Sequence, residues 1–203
     1  MASLVDELGC HSPSDVFSMG VSFLFSRLFY PSATLVRRPF HIRGRKNLEY
    51  APGFTTGRNC RFELFGKGRI VLGRNCRIGD NVHLVASESV VIGEECLFAS
   101  KIFISDTSHG SYGEEGDDPS IPPNDRPLVS SPVTIGDNVW LGENVVVLPG
   151  VTIGNGCVVG ANSTVSKSLP PFCVAVGSPA RPVKRYDYDT ARWVKCEERQ
   201  RRS

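Results

Sequence analysis

The feature that most constrains this chain is a large apolar residue that recurs every six positions in three runs. A helix requires apolar spacings of three and four, and a half-buried strand a spacing of two, so a period of six fits neither. It fits a short strand followed by a corner, and three such units close one triangular coil. Stacked coils place like residues over one another, so the apolar sites form interior columns. The series comprises Leu72, Ile78, Leu84, Ile92, Phe98, Ile104, Ile135, Leu141, Val147, Ile153, Val159 and Val165.

The repeat divides the chain into three regions. Residues 54–170 are predicted to form an all-β domain, a parallel β-helix that carries the chemistry. Within it, residues 110–128 contain no hexads and are rich in glycine, proline and acids, so they must leave the coil as a surface loop. Because this loop directly follows His109, a flap over a site is favoured over a solvated insertion. Residues 1–53 are expected to form a partly helical cap, and residues 171–203 a turn and a short C-terminal helix.

An apolar segment, Val16–Tyr30, precedes the repeat and is ended by Pro31. It is too short to span a bilayer. The open end of a β-helix exposes an apolar column and unpaired strand edges, and this segment is expected to cover them. A basic stretch follows, so peripheral contact with an anionic membrane surface is the alternative. Its cations are Arg37, Arg38, Arg43, Arg45 and Lys46.

Composition excludes several classes of protein. A net charge of +2 does not indicate a nucleic-acid binder. The chain holds seven cysteines but no closely spaced pair of the metal-binding or redox type. Four of them, Cys60, Cys76, Cys96 and Cys157, fall at the inward fourth position after the apolar site, where a thiol serves as a small hydrophobic group. We therefore expect a thiol-reduced, cytoplasmic protein, with the inner face of the membrane as a further location, and no metal.

The segments 132–186 and 78–110 resemble the hexapeptide-repeat acyltransferases. They read PVTIGDNVWLGENVVVLPGVTIGNGCVVGANSTVSKSLPPFCVAVGSPARPVKRY and IGDNVHLV…VVIGEECLFASKIFISDTSHG. The second segment is closest to bacterial sugar and polysaccharide O-acetyltransferases, such as those acting on O-antigen or exopolysaccharide. This resemblance implies a left-handed β-helix and a homotrimer with active sites between subunits. It also implies acetyl-CoA as the acyl donor and a sugar or lipid-linked glycan as the acceptor.

The resemblance implies that His109, in the segment Ser105–His109, is the general base. A sugar hydroxyl is a poor nucleophile at neutral pH, and a neutral imidazole can take its proton as the new bond forms. Asp106 is expected to orient His109 or contact the acceptor, with a hydrogen bond to a turn as the alternative. Acceptor-binding candidates at the outward corners are His83, Asn81 and Asp80.

Acetyl-CoA is expected to contact the C-terminal coils. The family pattern places the pantetheine arm beside Trp140, Gly142 and Ala161, and the donor for the tetrahedral oxyanion at a backbone N–H of Gly142 or Glu143. Phosphate groups require fixed cations, which arginine and lysine supply. The candidates on the nucleotide side are Ser166, Lys167, Arg181 and Lys184.

Other functions were weighed against these residues. A zinc-dependent carbonic anhydrase of the same fold needs three histidines around the metal, and the repeat holds only His83 and His109. An amino-sugar N-acetyltransferase or an antibiotic acetyltransferase would share the fold, the cofactor and the base. A non-catalytic assembly subunit would be expected to lack the base and the cationic tail, and this chain has both.

Overall fold

A computed structural model describes residues 12–114 and 116–196. The chain winds into a parallel β-solenoid with three flat faces, which confirms the predicted all-β class. Face A is built by Leu35–Val36 (β1), Thr55–Thr56 (β4), Arg77–Ile78 (β7), Leu97–Phe98 (β10), Trp140–Leu141 (β15), Val158–Val159 (β18) and Cys173–Val176 (β20). Face B is built by Phe40–Arg43 (β2), Cys60–Leu64 (β5), His83–Ala86 (β8), Phe103–Ser105 (β11), Val146–Val147 (β16) and Thr164–Val165 (β19). Face C is built by Leu48–Tyr50 (β3), Arg69–Leu72 (β6), Ser89–Ile92 (β9), Val133–Ile135 (β14) and Thr152–Ile153 (β17).

The interior consists of the apolar columns that the period predicted. Ile78 lies over Phe98, Leu141 and Val159 in register on face A, and all four side chains are buried. Neighbouring strands on one face are one full coil apart along the chain, so each coil contacts only the coils above and below it. Burial of these side chains, at roughly 25 cal/mol per Å² of apolar surface, is what holds the coils together.

The cysteines at the fourth position are buried free thiols, as expected. The Cys60 thiol donates to the carbonyl of Gly79 at 3.1 Å, and burial raises its pKa to about 11. Cys157 and Cys173 approach with sulfur atoms 3.5 Å apart but are not bonded. Cys10 lies outside the described residues. These thiols fill the narrow corners of the core and are buried away from the surface.

A helix, Pro13–Phe29 (α1), covers the first coil, which confirms the predicted cap. Ser12 caps its N-terminus by accepting from the amide of Asp15 at 3.2 Å. The solenoid itself begins at Leu35, because β1 already pairs with β4 in face A. The cap is therefore shorter than the boundary at residue 53 suggested. No helix in residues 12–114 and 116–196 is long and apolar enough to cross a bilayer.

The prediction of a C-terminal helix was wrong. The chain forms two antiparallel strands instead, Arg181–Asp187 (β21) and Arg192–Lys195 (β22), which extend face A beyond β20. Valine, tyrosine and tryptophan in this segment favour strands, and Tyr186 packs against Trp193 with ring centroids 5.4 Å apart. These strands also cover the edge that β20 would otherwise leave unpaired. Residues 197–203 lie outside the described residues.

Candidate active site

His109 lies at the end of a hairpin that interrupts the solenoid between faces B and C. Its strand, Thr107–His109 (β12), pairs antiparallel with Leu128–Ser130 (β13), and the excursion lies between them. The imidazole belongs to an exposed residue, and the Tyr112 hydroxyl donates to the His109 carbonyl at 2.5 Å. The chain after His109 thus leaves the coil as a loop, and the first residues of this loop form a hydrogen bond to the backbone of His109.

The loop between β12 and β13, called the excursion, is held together by hydrogen bonds from Arg126. Its guanidinium donates to the carbonyls of Ile121 and Pro119, each at 2.9 Å, and to the Tyr112 hydroxyl at 3.2 Å. Asp117 accepts from the amide of Ser111 at 2.6 Å. Hydrogen bonds of this kind replace the ladder bonds that the coil would have supplied, so the segment beside His109 has a defined shape.

Asp106 ties the base of this hairpin to the coil below. Its buried carboxylate accepts from the amides of Ser87, Glu88 and Ser89 at 2.9, 2.8 and 2.7 Å, and from the Thr107 hydroxyl at 2.6 Å. None of its hydrogen bonds within the described residues involves the imidazole of His109. These hydrogen bonds are close to the turn-bonding alternative. They suit a positioning role for Asp106, which stays a prediction.

The corner between faces A and B carries a ladder of side chains that cap backbone amides of the preceding coil. The Arg58 amide donates to Asp80 at 2.6 Å, the Asp80 amide to Ser100 at 3.2 Å, and the Ser100 amide to Glu143 at 3.1 Å. The next member is Ala161, whose side chain has no acceptor. Within the described residues the Glu143 amide consequently has no hydrogen-bond partner, and it is available to a ligand.

The two backbone donors predicted for the oxyanion are thereby distinguished. The amide of Gly142 donates to the carbonyl of Val159 at 2.8 Å, so it belongs to the ladder of face A. A Cβ at Gly142 would lie 2.7 Å from the nitrogen of Ala161, which is why this corner requires glycine. Glu143 itself pairs with Lys101 at 3.2 Å. Only the amide of Glu143, of these two, is free to donate.

The acceptor-binding candidates lie on the coils below. Asp80 is a member of the corner ladder, and Asn81 adopts the left-handed backbone conformation (φ 57°) that makes the turn. His83 lies on the outer side of face B, with its ring against Phe103 and its Nε2 3.0 Å from a carboxylate oxygen of Glu63. All three thus have structural partners, and the structure neither joins them into one pocket nor links them to His109.

Glu63 is an acidic group that sequence reasoning missed. It is buried, and Arg61 donates to it at 2.8 Å in addition to His83. Burial alone would raise the pKa of this carboxyl, but the hydrogen bonds from Arg61 and His83 outweigh burial and lower the pKa. Its signal in the sequence is an acid at an alternating position of a predicted strand, next to a cation two residues away.

An exposed apolar strip on face A leads toward a lysine. Trp140, half exposed at 50%, pairs with Leu97 on one side and Val158 on the other, and Val174 follows in the same outward column. The column continues to Lys184 on β21, opposite Val174. Such a strip, apolar along its length and cationic at its end, matches a ligand with an apolar arm and a phosphate group.

The remaining nucleotide-side candidates lie around the last coil. Ser166 and Lys167 are exposed directly after β19. The Ala180 amide donates to the carbonyl of Thr164 at 2.8 Å, which holds Arg181 beside the end of that strand. Lys167, Arg181 and Lys184 form no ion pair within residues 12–114 and 116–196. Their positive charges are therefore unneutralised at this end of the molecule.

Metal chemistry has no candidate in the described part of the chain, because no group of three or more His, Cys, Asp or Glu side chains lies within reach of one ion there.

The comparison with known families is specific. Residues 132–167 match the model described as "Bacterial transferase hexapeptide (six repeats)". The chain is 45% identical over 175 residues to the Escherichia coli (strain K12) protein named "Putative lipopolysaccharide biosynthesis O-acetyl transferase WbbJ", covering 85% of this chain and 89% of that one.

The chain belongs to the hexapeptide-repeat acetyltransferases. A second relative is the galactoside O-acetyltransferase of Escherichia coli (strain K12), which is 37% identical over 150 residues, covering 72% of this chain and 70% of that one. A solved structure of a galactoside acetyltransferase in complex with coenzyme A superposes with a TM-score of 0.53 at 26% identity, covering 94% of this chain and 83% of that one. These findings confirm the expected family, the enzyme class and acetyl-CoA as the donor.

Proposed function

We propose that this hexapeptide-repeat acetyltransferase moves an acetyl group from acetyl-CoA to a hydroxyl of a sugar in a surface-glycan precursor. The proposal is carried by the exposed His109 on a hairpin fixed by the buried Asp106, together with the uncapped amide of Glu143 at another corner of the solenoid. The names of the two relatives, both O-acetyltransferases, favour a hydroxyl over an amine as the acceptor.

The reaction is a direct transfer without a covalent enzyme intermediate. His109 removes the proton of the acceptor hydroxyl while its oxygen attacks the thioester carbonyl. The N–H of Glu143 donates to the oxyanion of the tetrahedral intermediate. As the intermediate collapses, the carbon–sulfur bond breaks, and the sulfur of coenzyme A takes up the proton from His109. The products are the acetylated sugar and free coenzyme A, and the histidine returns to its neutral form.

Acetyl-CoA is proposed to lie along the strip from Trp140 to Lys184. The pantetheine arm would follow the apolar column and pass Gly142 and Ala161. The phosphates would reach Lys184, Arg181 and Lys167, where charge-assisted hydrogen bonds are available. Ser166 would add a hydroxyl at the nucleotide end.

The site is proposed to form between subunits of a homotrimer. In one chain His109 leaves the solenoid at the corner between faces B and C, whereas Glu143 and Ala161 occupy the corner between faces A and B. The base and the cofactor strip thus lie at different corners of one solenoid, and a second solenoid packed alongside would bring them together. Such an interface also covers the apolar strip around Trp140.

The test is steady-state kinetics on His109→Ala with His41→Ala as the matched control, since His41 is also exposed on the outer side of the solenoid. Loss of the base is expected to lower kcat by roughly 10²–10⁴-fold while acetyl-CoA still binds. Near-normal turnover of His109→Ala would refute the mechanism. A panel of free sugars, amino sugars and lipid-linked glycans, with the linkage of the product read by NMR, separates O-acetylation from the N-acetylation alternative.

A further inference from the structure

The helix α1 is turned with its polar side inward. Its buried side chains are Ser22 and Ser26, whose hydroxyls accept from the amides of Arg38 at 3.1 Å and Val36 at 2.7 Å. The helix thus docks on the first coil through hydrogen bonds. Of the apolar side chains of the helix, Phe25 packs against the core, whereas most of the others lie on the opposite side, away from the core.

The outer side of α1 is apolar along its whole length. Phe17, Leu24 and Leu28 are 75%, 64% and 76% exposed, and this outer face carries one charged residue, Arg27. The face also holds Val16, Val21 and Phe23. Contiguous exposed apolar surface of this kind marks an interaction site, because water contact with it is unfavourable.

The apolar face is surrounded by cations. Residues 16–48 contain no aspartate or glutamate, but they contain the six cations Arg27, Arg37, Arg38, Arg43, Arg45 and Lys46, all exposed. Within the part of the chain that the structure describes, only Arg43 among them forms an ion pair, with Glu63. The guanidinium groups of Arg27, Arg38 and Arg45 lie over the rings of Phe23, Phe25 and Phe29, at 4.9, 5.2 and 5.5 Å from the centroids.

We propose that this surface, the outer face of α1 with its surrounding cations, lies on an anionic phospholipid bilayer. The helix would rest in the plane of the interface with its apolar side chains among the acyl chains. The arginines, with their stems along the aromatic rings, would place their charges at the lipid phosphates. The first coil then faces the membrane, and the solenoid projects into the aqueous phase.

Charge argues for lipid over a two-fold dimer through this face. In a two-fold dimer through this face, the six cations of each copy would oppose those of the other, and no carboxylate in residues 16–48 would neutralise them. An anionic bilayer supplies the complementary charge and the apolar phase together. The proposal is independent of the catalytic assignment, because none of these residues belongs to the candidate active site.

The experiment is sedimentation of the full chain with vesicles of phosphatidylcholine alone or with about 30% phosphatidylglycerol. Binding is expected to the anionic vesicles and to weaken as salt is raised. The variant Phe17→Ser/Leu24→Ser/Leu28→Ser is expected to lose on the order of 100-fold in partition coefficient. Arg27→Gln/Arg38→Gln/Lys46→Gln, which removes three of the six cations, is expected to lose a similar factor and about half of the salt dependence.

The matched control is Tyr188→Ser/Val194→Ser, which removes exposed apolar side chains at the opposite end of the solenoid and is expected to bind as the unmodified chain does. The substituted residues are exposed in every case, so folding is preserved, and far-UV circular dichroism checks it. Absence of binding to anionic vesicles, or unchanged binding of the triple serine variant, overturns the proposal. The proposal is also overturned, in favour of a second copy of the chain, if neither the unmodified chain nor the triple serine variant binds vesicles and the variant differs only in its oligomeric state.

Discussion

Restoring the missing acceptor at position 161 should switch off the proposed oxyanion donor without harming the fold. Every earlier member of the corner ladder caps the amide one coil below it, as Asp80 does for Arg58 and Ser100 does for Asp80. An aspartate or serine placed at Ala161 stands at the same position of the same corner. It should therefore accept from the amide of Glu143.

The expected loss in kcat depends on the strength of the hydrogen bond to the Glu143 amide that the oxyanion must displace. A hydrogen bond from the Glu143 amide to a serine hydroxyl is worth about 1 kcal/mol, so breaking it before catalysis lowers kcat about fivefold. An aspartate forms a charge-assisted bond of about 1.5–3 kcal/mol and also repels the developing negative charge. Ala161→Asp should therefore approach the roughly 10²–10³-fold loss seen when an oxyanion donor is removed altogether.

Ala161→Val is the control for side-chain size, because valine fills the corner but has no hydrogen-bond acceptor. We expect valine to raise the KM for acetyl-CoA and to keep most of kcat, while serine and aspartate lower kcat in that order. Release of the coenzyme A thiol gives both constants, and thermal unfolding is expected to show the aspartate variant at least as stable as the parent. An aspartate variant with kcat within twofold of the parent would refute the assignment of Glu143.

Two further predictions concern groups around the site. Asp106→Asn replaces a carboxylate oxygen by an NH2 group that cannot accept, so one or more backbone N–H groups of residues 87–89 lose their partner. We expect a loss of about 2–5 kcal/mol in the free energy of unfolding. We also expect faster hydrogen exchange at those N–H groups and a lower kcat at unchanged KM for acetyl-CoA. Normal exchange there would contradict the positioning role. The lowered pKa of Glu63 stabilises the fold above the unfolded-state value, near 4.3, and this contribution is lost as pH falls through the folded-state value. Denaturant titrations between pH 6 and about 3 should accordingly show a weaker loss of stability for Glu63→Gln than for the parent, and equal slopes would contradict it.

The period predicted most of the fold because each coil repeats the same local solution. A six-residue spacing determines the inward columns, and the cysteines follow because the corner position admits only small side chains. The first coil was missed although its inward residues Val36, Ile42 and Leu48 are also six apart. This run is short, and the next inward residue on face A, Thr56, follows Leu48 at a spacing of eight, so the run is out of phase with the later hexads.

The C-terminal strands and the candidate site show a second limit on what the sequence can predict. Residues 181–195 mix basic and aromatic side chains, and only the open edge of β20 decides in favour of strands. The carboxylate of Asp106 looked like a partner of the adjacent His109, yet its hydrogen bonds run to residues 87–89, a contact between coils that sequence spacing does not reveal. The gap at Ala161, by contrast, is visible in the sequence. It is a non-polar residue where the hexads otherwise place Asp80, Ser100 and Glu143.

In this fold the candidate active site arises where the repeat is interrupted or left incomplete. At the corner between faces A and B, the amides of Arg58, Asp80 and Ser100 are each capped by the next coil and offer a ligand no donor. The uncapped amide of Glu143 and the excursion after Asp106 are two such departures, and they lie at different corners of one prism. Since each coil contacts only its neighbours, neither departure weakens coils further away. A stable scaffold can therefore carry an unsatisfied donor and an exposed base, and the proposed trimer would bring them to one substrate.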